Sequence, residues 1–116
     1  MLVCREFRFE AAHHLPNHPG KCRHPHGHGY VLRVACEAPV DPATGLAIDF
    51  GELKRVVHEH VVDVLDHRDL NDLLALPSAE NIAVWAWERL RAAGLPLAEI
   101  QVQETASCWV VYRGEP

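Results

Sequence analysis

Apolar and polar residues alternate from Val3 to His13. Phe7, Phe9, Ala11 and His13 share one parity, and Glu6, Arg8 and Glu10 the other. A two-residue period predicts a half-buried strand, here one whose inner face ends in a histidine. From His14 to His24 the pattern dissolves around Pro16, Pro19 and Gly20, which predicts a loop over the end of that strand. Alternation returns with Tyr30, Leu32, Val34 and Cys36, and running it backwards places His26 and His28 on the same inner parity.

After the turn-forming cluster Pro39, Asp41, Pro42, Thr44 and Gly45 the period changes. Leu53, Val57, Val61, Val64 and Leu65 recur at helical spacing behind Asp49 and Glu52, a pair placed like a capping box, so a helix of roughly four turns is predicted over 50–65. Residues 66–77 read as a loop with at most one helical turn. Ser78 stands as an N-cap before Ile82, Trp85, Ala86 and Leu90, with Gly94 as the stop and Pro96 beyond it. Ile100 and Val102 then alternate with Gln101 and Gln103, and Trp109 to Tyr112 form a last strand. Paired strands on either side of a helix pair predict an α+β domain over 1–116: a four-stranded antiparallel sheet with two helices on one face, in ββααββ order. The edges of so small a sheet need covering, and pairing with other subunits is one way to cover them.

Composition narrows the functional classes. In 116 residues, 48% are hydrophobic, enough for one ordinary core, and the formal charge of -5 is scattered. With no basic stripe, nucleic acid is not the expected partner. Apolar runs are short and the N-terminus lacks the pattern of a signal peptide, so a cytoplasmic protein without a membrane span is expected. Cys4, Cys22, Cys36 and Cys108 lack the dense spacing of a disulfide scaffold and are expected to be free thiols, Cys4, Cys36 and Cys108 as inert core or sheet residues.

Histidine departs from background, with nine in the chain and a cluster between His13 and His28. His26 and His28, two apart on one strand face, can bind one ion, and His13 meets them if the first two strands pair. Three imidazoles suit zinc and leave a fourth position open for water or substrate. His24 shares the parity of His26 and His28 and is an alternative ligand, although Pro25 interrupts the run. Cys22, in the same loop, reads as a fourth ligand, as a base with a pKa lowered by its surroundings, or as a plain loop thiol. Asp66 beside His67 resembles a carboxylate orienting an imidazole, although neighbours in sequence face each other only if the chain bends. A histidine at a helix C-terminus is also stabilising in itself. Glu104 continues the inner parity of Ile100 and Val102, where a carboxylate needs a partner such as a ligand with adjacent N–H donors, unless the strand frays there.

These residues fall within phrases that resemble the 6-pyruvoyl-tetrahydropterin synthase superfamily: FEAAH at 9–13, C-x3-HGH at 22–28, DPATG at 41–45, IDFGELK at 48–54, LDHRDLND at 65–72, PSAEN at 77–81 and QET at 103–105. The three-residue spacer Arg23, His24 and Pro25 between the cysteine and HGH is similar to the carboxy-type branch, the 6-carboxy-5,6,7,8-tetrahydropterin synthases. The resemblance implies a tunnelling fold that assembles as trimers, usually paired into hexamers, with active sites between subunits. It implies zinc on His13, His26 and His28, catalysis by Cys22, Asp66 and His67, and binding of a pterin triphosphate through Glu104, with Ser78 in the position of a substrate-binding threonine. Two departures stand out: His14 follows FEAAH where arginine is common, and Ser78 keeps only the hydroxyl of the usual threonine.

Overall fold

The computed structural model describes residues 1–116. Two long strands, β1 (Leu2–His13) and β2 (His26–Glu37), form an antiparallel pair, bridged by a loop that holds a 3-10 turn at Lys21–Arg23. Helix α1 covers 50–65, the span expected from its periodicity, but in three parts: Phe50–Val57 is α-helical, His58–Val62 forms a wide π turn, and Asp63–Leu65 completes it. Asp49 caps it by accepting the Glu52 amide at 3.0 Å, while the Glu52 carboxylate turns to Arg55, so only half of the capping box forms. The π turn brings Val61 and Val62 into the core, and the His60 carbonyl accepts a bond from Arg89 at 2.6 Å.

Beyond α1 lie β3 (Arg68–Asp69), a 3-10 turn (Leu70–Asp72), α2 (Ala79–Ala92), β4 (Leu97–Thr105) and β5 (Cys108–Tyr112). Ser78 caps α2 through the Asn81 amide, and Gly94, at φ 94°, ends it with a bond from the Leu95 amide to the Leu90 carbonyl. That left-handed position favours glycine because a side chain there would strain the backbone.

The sheet departs from expectation in one respect: it has five strands and is mixed, in the order β3-β1-β2-β4-β5, because Arg68 and Asp69 pair parallel to Ala11 and Ala12. Two residues carry no readable period, so this strand was invisible in the sequence. The other four strands form the expected antiparallel set. The core lies between one sheet face and both helices, and joins Phe7, Phe9, Tyr30, Leu32 and Val34 to Leu53, Val57, Ile82 and Leu90. The opposite face carries polar contacts, among them Arg33 with Glu6 at 2.9 Å and with Gln103 at 3.0 Å. All four cysteines are free. Cys36 is a buried core residue whose thiol pKa is pushed up to about 11 by burial, whereas Cys4 on β1 and Cys108 on β5 are sheet residues that stand exposed. No helix is long and apolar enough to cross a membrane.

Candidate metal centre and adjoining clefts

Strand register assembles the histidines. His13 pairs with His26 across the β1–β2 ladder and Ala11 with His28, so all three imidazoles project from the core face at its open end. Glu104 joins them from β4. Between the pairs Gln103 with Trp109 and Thr105 with Cys108, Glu104 is an extra residue, a β-bulge of the kind that redirects a side chain.

The imidazoles converge in a way that water alone does not explain. His13, fully buried, donates from Nδ1 to the Pro77 carbonyl at 2.7 Å, and His26 donates from Nδ1 to the His24 carbonyl at 2.7 Å. Each bond commits its ring proton, leaving two Nε2 lone pairs facing one another at 2.9 Å. Two acceptors at that distance repel unless a cation or a proton lies between them. The third ring also points into the cluster: His28 Nε2 is buried without a well-formed hydrogen bond, although Glu104 Oε1 lies 2.8 Å away. Burial lowers the His28 pKa from its ordinary value, opposed by Glu104 and reinforced by His13 and His26, which favours the neutral ring that a metal requires. Glu104 Oε1 is also 3.4 Å from His13 Nε2, and one ligand atom from each of the four residues falls within a 4.8 Å group. Ligands on a tetrahedral ion with bonds of about 2.0–2.1 Å stand about 3.3 Å apart, so this donor set fits a small divalent cation.

His24 takes part by its carbonyl, which fixes the His26 ring, rather than by its own imidazole. The Pro77 carbonyl does the same for His13, and no sequence signal marks a backbone acceptor of this sort. Tyr30, fully buried, packs edge-on against His13 and His28 with its hydroxyl unpartnered. Its pKa is raised by burial first and by Glu104 second, so it is a neutral wall of the site.

Cys22 lies outside the four-residue group. Half-buried in its 3-10 turn, it lines a cleft of about 530 Å³ with Lys21, His26, His28 and Glu104. Asp66 and His67 occupy a corner fastened to β1: the Glu10 amide donates to Asp66 at 2.9 Å, and the His67 amide donates to the Glu10 carbonyl at 2.6 Å. His67 has φ 59°, a left-handed conformation that is uncommon outside glycine. This twist supplies the bend that adjacent residues need, and His67 Nδ1 reaches Asp66 Oδ1 at 3.0 Å. The Glu10 amide, followed by desolvation acting in opposition and by His67, sets the Asp66 pKa below its ordinary value. His67 lines a different cleft, of about 490 Å³, with Glu10, Gly27 and Arg68, and of the metal-cluster residues only His28 borders both clefts. Within one chain, therefore, Cys22 and His67 do not share a cavity. Ser78 is occupied as a helix cap, next to the Pro77 carbonyl that holds His13.

The family profile described as 6-pyruvoyl tetrahydropterin synthase matches residues 2–115. The chain belongs to that family. A relative from Synechocystis named 6-carboxy-5,6,7,8-tetrahydropterin synthase is 42% identical over 113 residues, covering 91% of this chain and 88% of its own. The human protein named 6-pyruvoyl tetrahydrobiopterin synthase is 33% identical, covering 97% of this chain and 91% of its own. Among solved structures, the Caenorhabditis elegans 6-pyruvoyl tetrahydropterin synthase superposes with a TM-score of 0.90 at 29% identity, over 99% of this chain and 96% of its own. Membership makes the chain a pterin synthase, and the cluster of His13, His26, His28 and Glu104 is one that could hold a metal ion. His14, the departure noted after FEAAH, is held through its backbone: Asn71 accepts from its amide at 2.9 Å and donates to its carbonyl at 3.0 Å.

Proposed function

We propose that the protein is a zinc-dependent lyase that converts 7,8-dihydroneopterin triphosphate to 6-carboxy-5,6,7,8-tetrahydropterin. Acetaldehyde and triphosphate are released, in the route to queuosine and other 7-deazapurines. The observation that carries this reading is the convergence of the Nε2 atoms of His13, His26 and His28 beside a cleft bordered by Cys22. The short C-x3-HGH spacer and the 42% identical carboxy-type relative support the product.

Zinc, when bound, supplies Lewis acidity that polarises the vicinal oxygens of the substrate side chain. Cys22 moves a proton at the side-chain carbon, and His67, oriented by Asp66, is the second proton carrier. Glu104 accepts the amino and ring N–H groups of the pterin, and Ser78 is assigned to substrate binding by its match to the family's threonine position alone. That Cys22 and His67 border different clefts in one chain supports a site shared between subunits of a homo-oligomer; a hexamer built as a dimer of trimers is the assembly the family resemblance implies.

A second reading within the family, 6-pyruvoyl-tetrahydropterin synthase, is favoured by the names of several relatives, including the human one. Incubating zinc-loaded protein with 7,8-dihydroneopterin triphosphate and identifying the pterin by mass separates them. The carboxy product with acetaldehyde is expected, and a pyruvoyl product would replace the first reading with the second. No conversion by folded, zinc-loaded protein would instead indicate a binding module without catalysis.

A further inference from the structure

Glu104 is asked to do two things that compete for the same lone pairs. It stands at metal-ligand distance from His28 and His13, and in the proposed function it accepts the N–H groups of a pterin ring. We infer that Glu104 closes the coordination sphere of the resting protein as a fourth ligand beside His13, His26 and His28. It then leaves the metal when a pterin ring binds, so that substrate entry opens the coordination position. This rests on the proposed function for the identity of the incoming ring.

Three observations lead to the exchange. The first is distance: Oε1 lies 2.8 and 3.4 Å from two ligand nitrogens, close to the edge length of a tetrahedral site, and His28 Nε2 has no other partner. The second is charge. Three neutral imidazoles leave both positive charges of a divalent ion uncompensated, and no carboxylate occurs anywhere between residues 11 and 36, the stretch that supplies them. Glu104 is the carboxylate that reaches the cluster. The third is freedom of movement. His13 is enclosed, with its side chain at 0% exposure, whereas Glu104 is 24% exposed on a bulge and borders two spaces. On one side is the Cys22 cleft, and on the other a hollow of about 140 Å³ walled by Glu80, Cys108 and Trp109. A small side-chain rotation therefore exchanges metal for ligand without moving the sheet.

The step balances without proton transfer. One metal–oxygen bond breaks, the carboxylate stays ionised, and its lone pairs take up two N–H bonds from the ring. With a metal held by His13, His26 and His28, the position that Glu104 gives up would be open to an oxygen donor. Linkage makes the coupling reciprocal. A pterin ring lacking the side chain should loosen the metal, and the metal should oppose that ring, by a common factor of roughly 5- to 150-fold.

Cobalt(II)-substituted protein, whose visible absorption reports coordination, provides the test. Saturating it with side-chain-free pterin, with binding followed independently by calorimetry, should change the cobalt spectrum. Glu104→Ala should show an altered spectrum before any pterin is added, and its metal affinity should fall on the order of 100-fold, the upper end for loss of a group supporting a metal site. In a chelator competition, the same pterin should speed metal release from the wild type but not from Glu104→Ala. Circular dichroism would verify that the variant is folded, and Glu104→Gln, if the alanine variant is not, must show the same altered spectrum. Pterin binding without a spectral change, or a variant spectrum identical to wild type, would overturn the exchange and leave the proposed function standing. Failure of any pterin to bind would overturn both.

Discussion

Single side chains here are defined by what their second polar atom does. His24 and His26 have the same chemistry and the same strand parity, yet only His26 has its Nδ1 proton committed to a carbonyl and its Nε2 aimed at His13. His26→Ala is therefore expected to lose nearly all bound zinc, whereas His24→Ala retains it, because alanine preserves the carbonyl; metal analysis after dialysis checks this. The reverse result would reassign the ligand set. His67 tests a different point. Its left-handed backbone costs roughly 1–2 kcal/mol for a residue with a Cβ, and its ring is mostly exposed. In His67→Gly the relieved strain offsets the greater freedom of glycine in the unfolded chain, so stability should hold or rise by up to about 1 kcal/mol while turnover collapses. A clear fall in the urea midpoint would make His67 a structural residue.

The joints between elements hold the site together. The end of α1 is tied to β1 through Asp66 and the Glu10 amide, which produces both the His67 corner and the short parallel strand β3. The folded pKa of Asp66 is depressed, so its contribution is fully present above the ordinary aspartate value of about 3.9 and is lost as pH falls through the lower folded value. Protection of the Glu10 amide against hydrogen exchange, taken relative to the intrinsic rate at each pH, should fall across that acidic window in the wild type, and Asp66→Ala should show low protection already at neutral pH. At the start of α2, Ser78 caps the helix while the preceding carbonyl of Pro77 holds His13. Ser78→Ala should cost about 1 kcal/mol in chemical denaturation and weaken metal binding slightly, with Ser78→Thr close to wild type. An unchanged midpoint in the alanine variant would show that the cap carries no weight.

For the whole molecule, the distribution of chemistry over two clefts predicts how subunits depend on one another. Cys22 and His67 border separate spaces, so a variant lacking one should be rescued by a variant lacking the other. Co-refolding inactive Cys22→Ala with inactive His67→Ala should restore roughly a quarter of wild-type activity when chains mix at random in a symmetric oligomer. No recovery, with mixed oligomers demonstrated by mass, would confine each site to one chain. Subunit pairing is also consistent with the exposed β5 edge, where Trp109 is 55% exposed and Val111 is 39%.

Periodicity was enough to locate every long element, because buried faces impose a period of two on strands and 3.6 on helices wherever the chain is amphipathic. The same parity put His13, His26, His28 and Glu104 on the core face before any pairing was known. Physical alternatives that depend on contact stayed open in the sequence: whether His24 or His26 offers its ring, whether Asp66 can reach His67, and whether Glu104 turns inward or frays into water. The π turn at His58–Val62 and the strand Arg68–Asp69 were likewise unreadable, since one extra residue in a helix and two residues in a ladder leave no pattern. Tertiary structure decided these through backbone acceptors at Pro77, His24 and Glu10, and through a bulge at Glu104. A carbonyl is the same in every residue, so only its position in space makes it a determinant of the site.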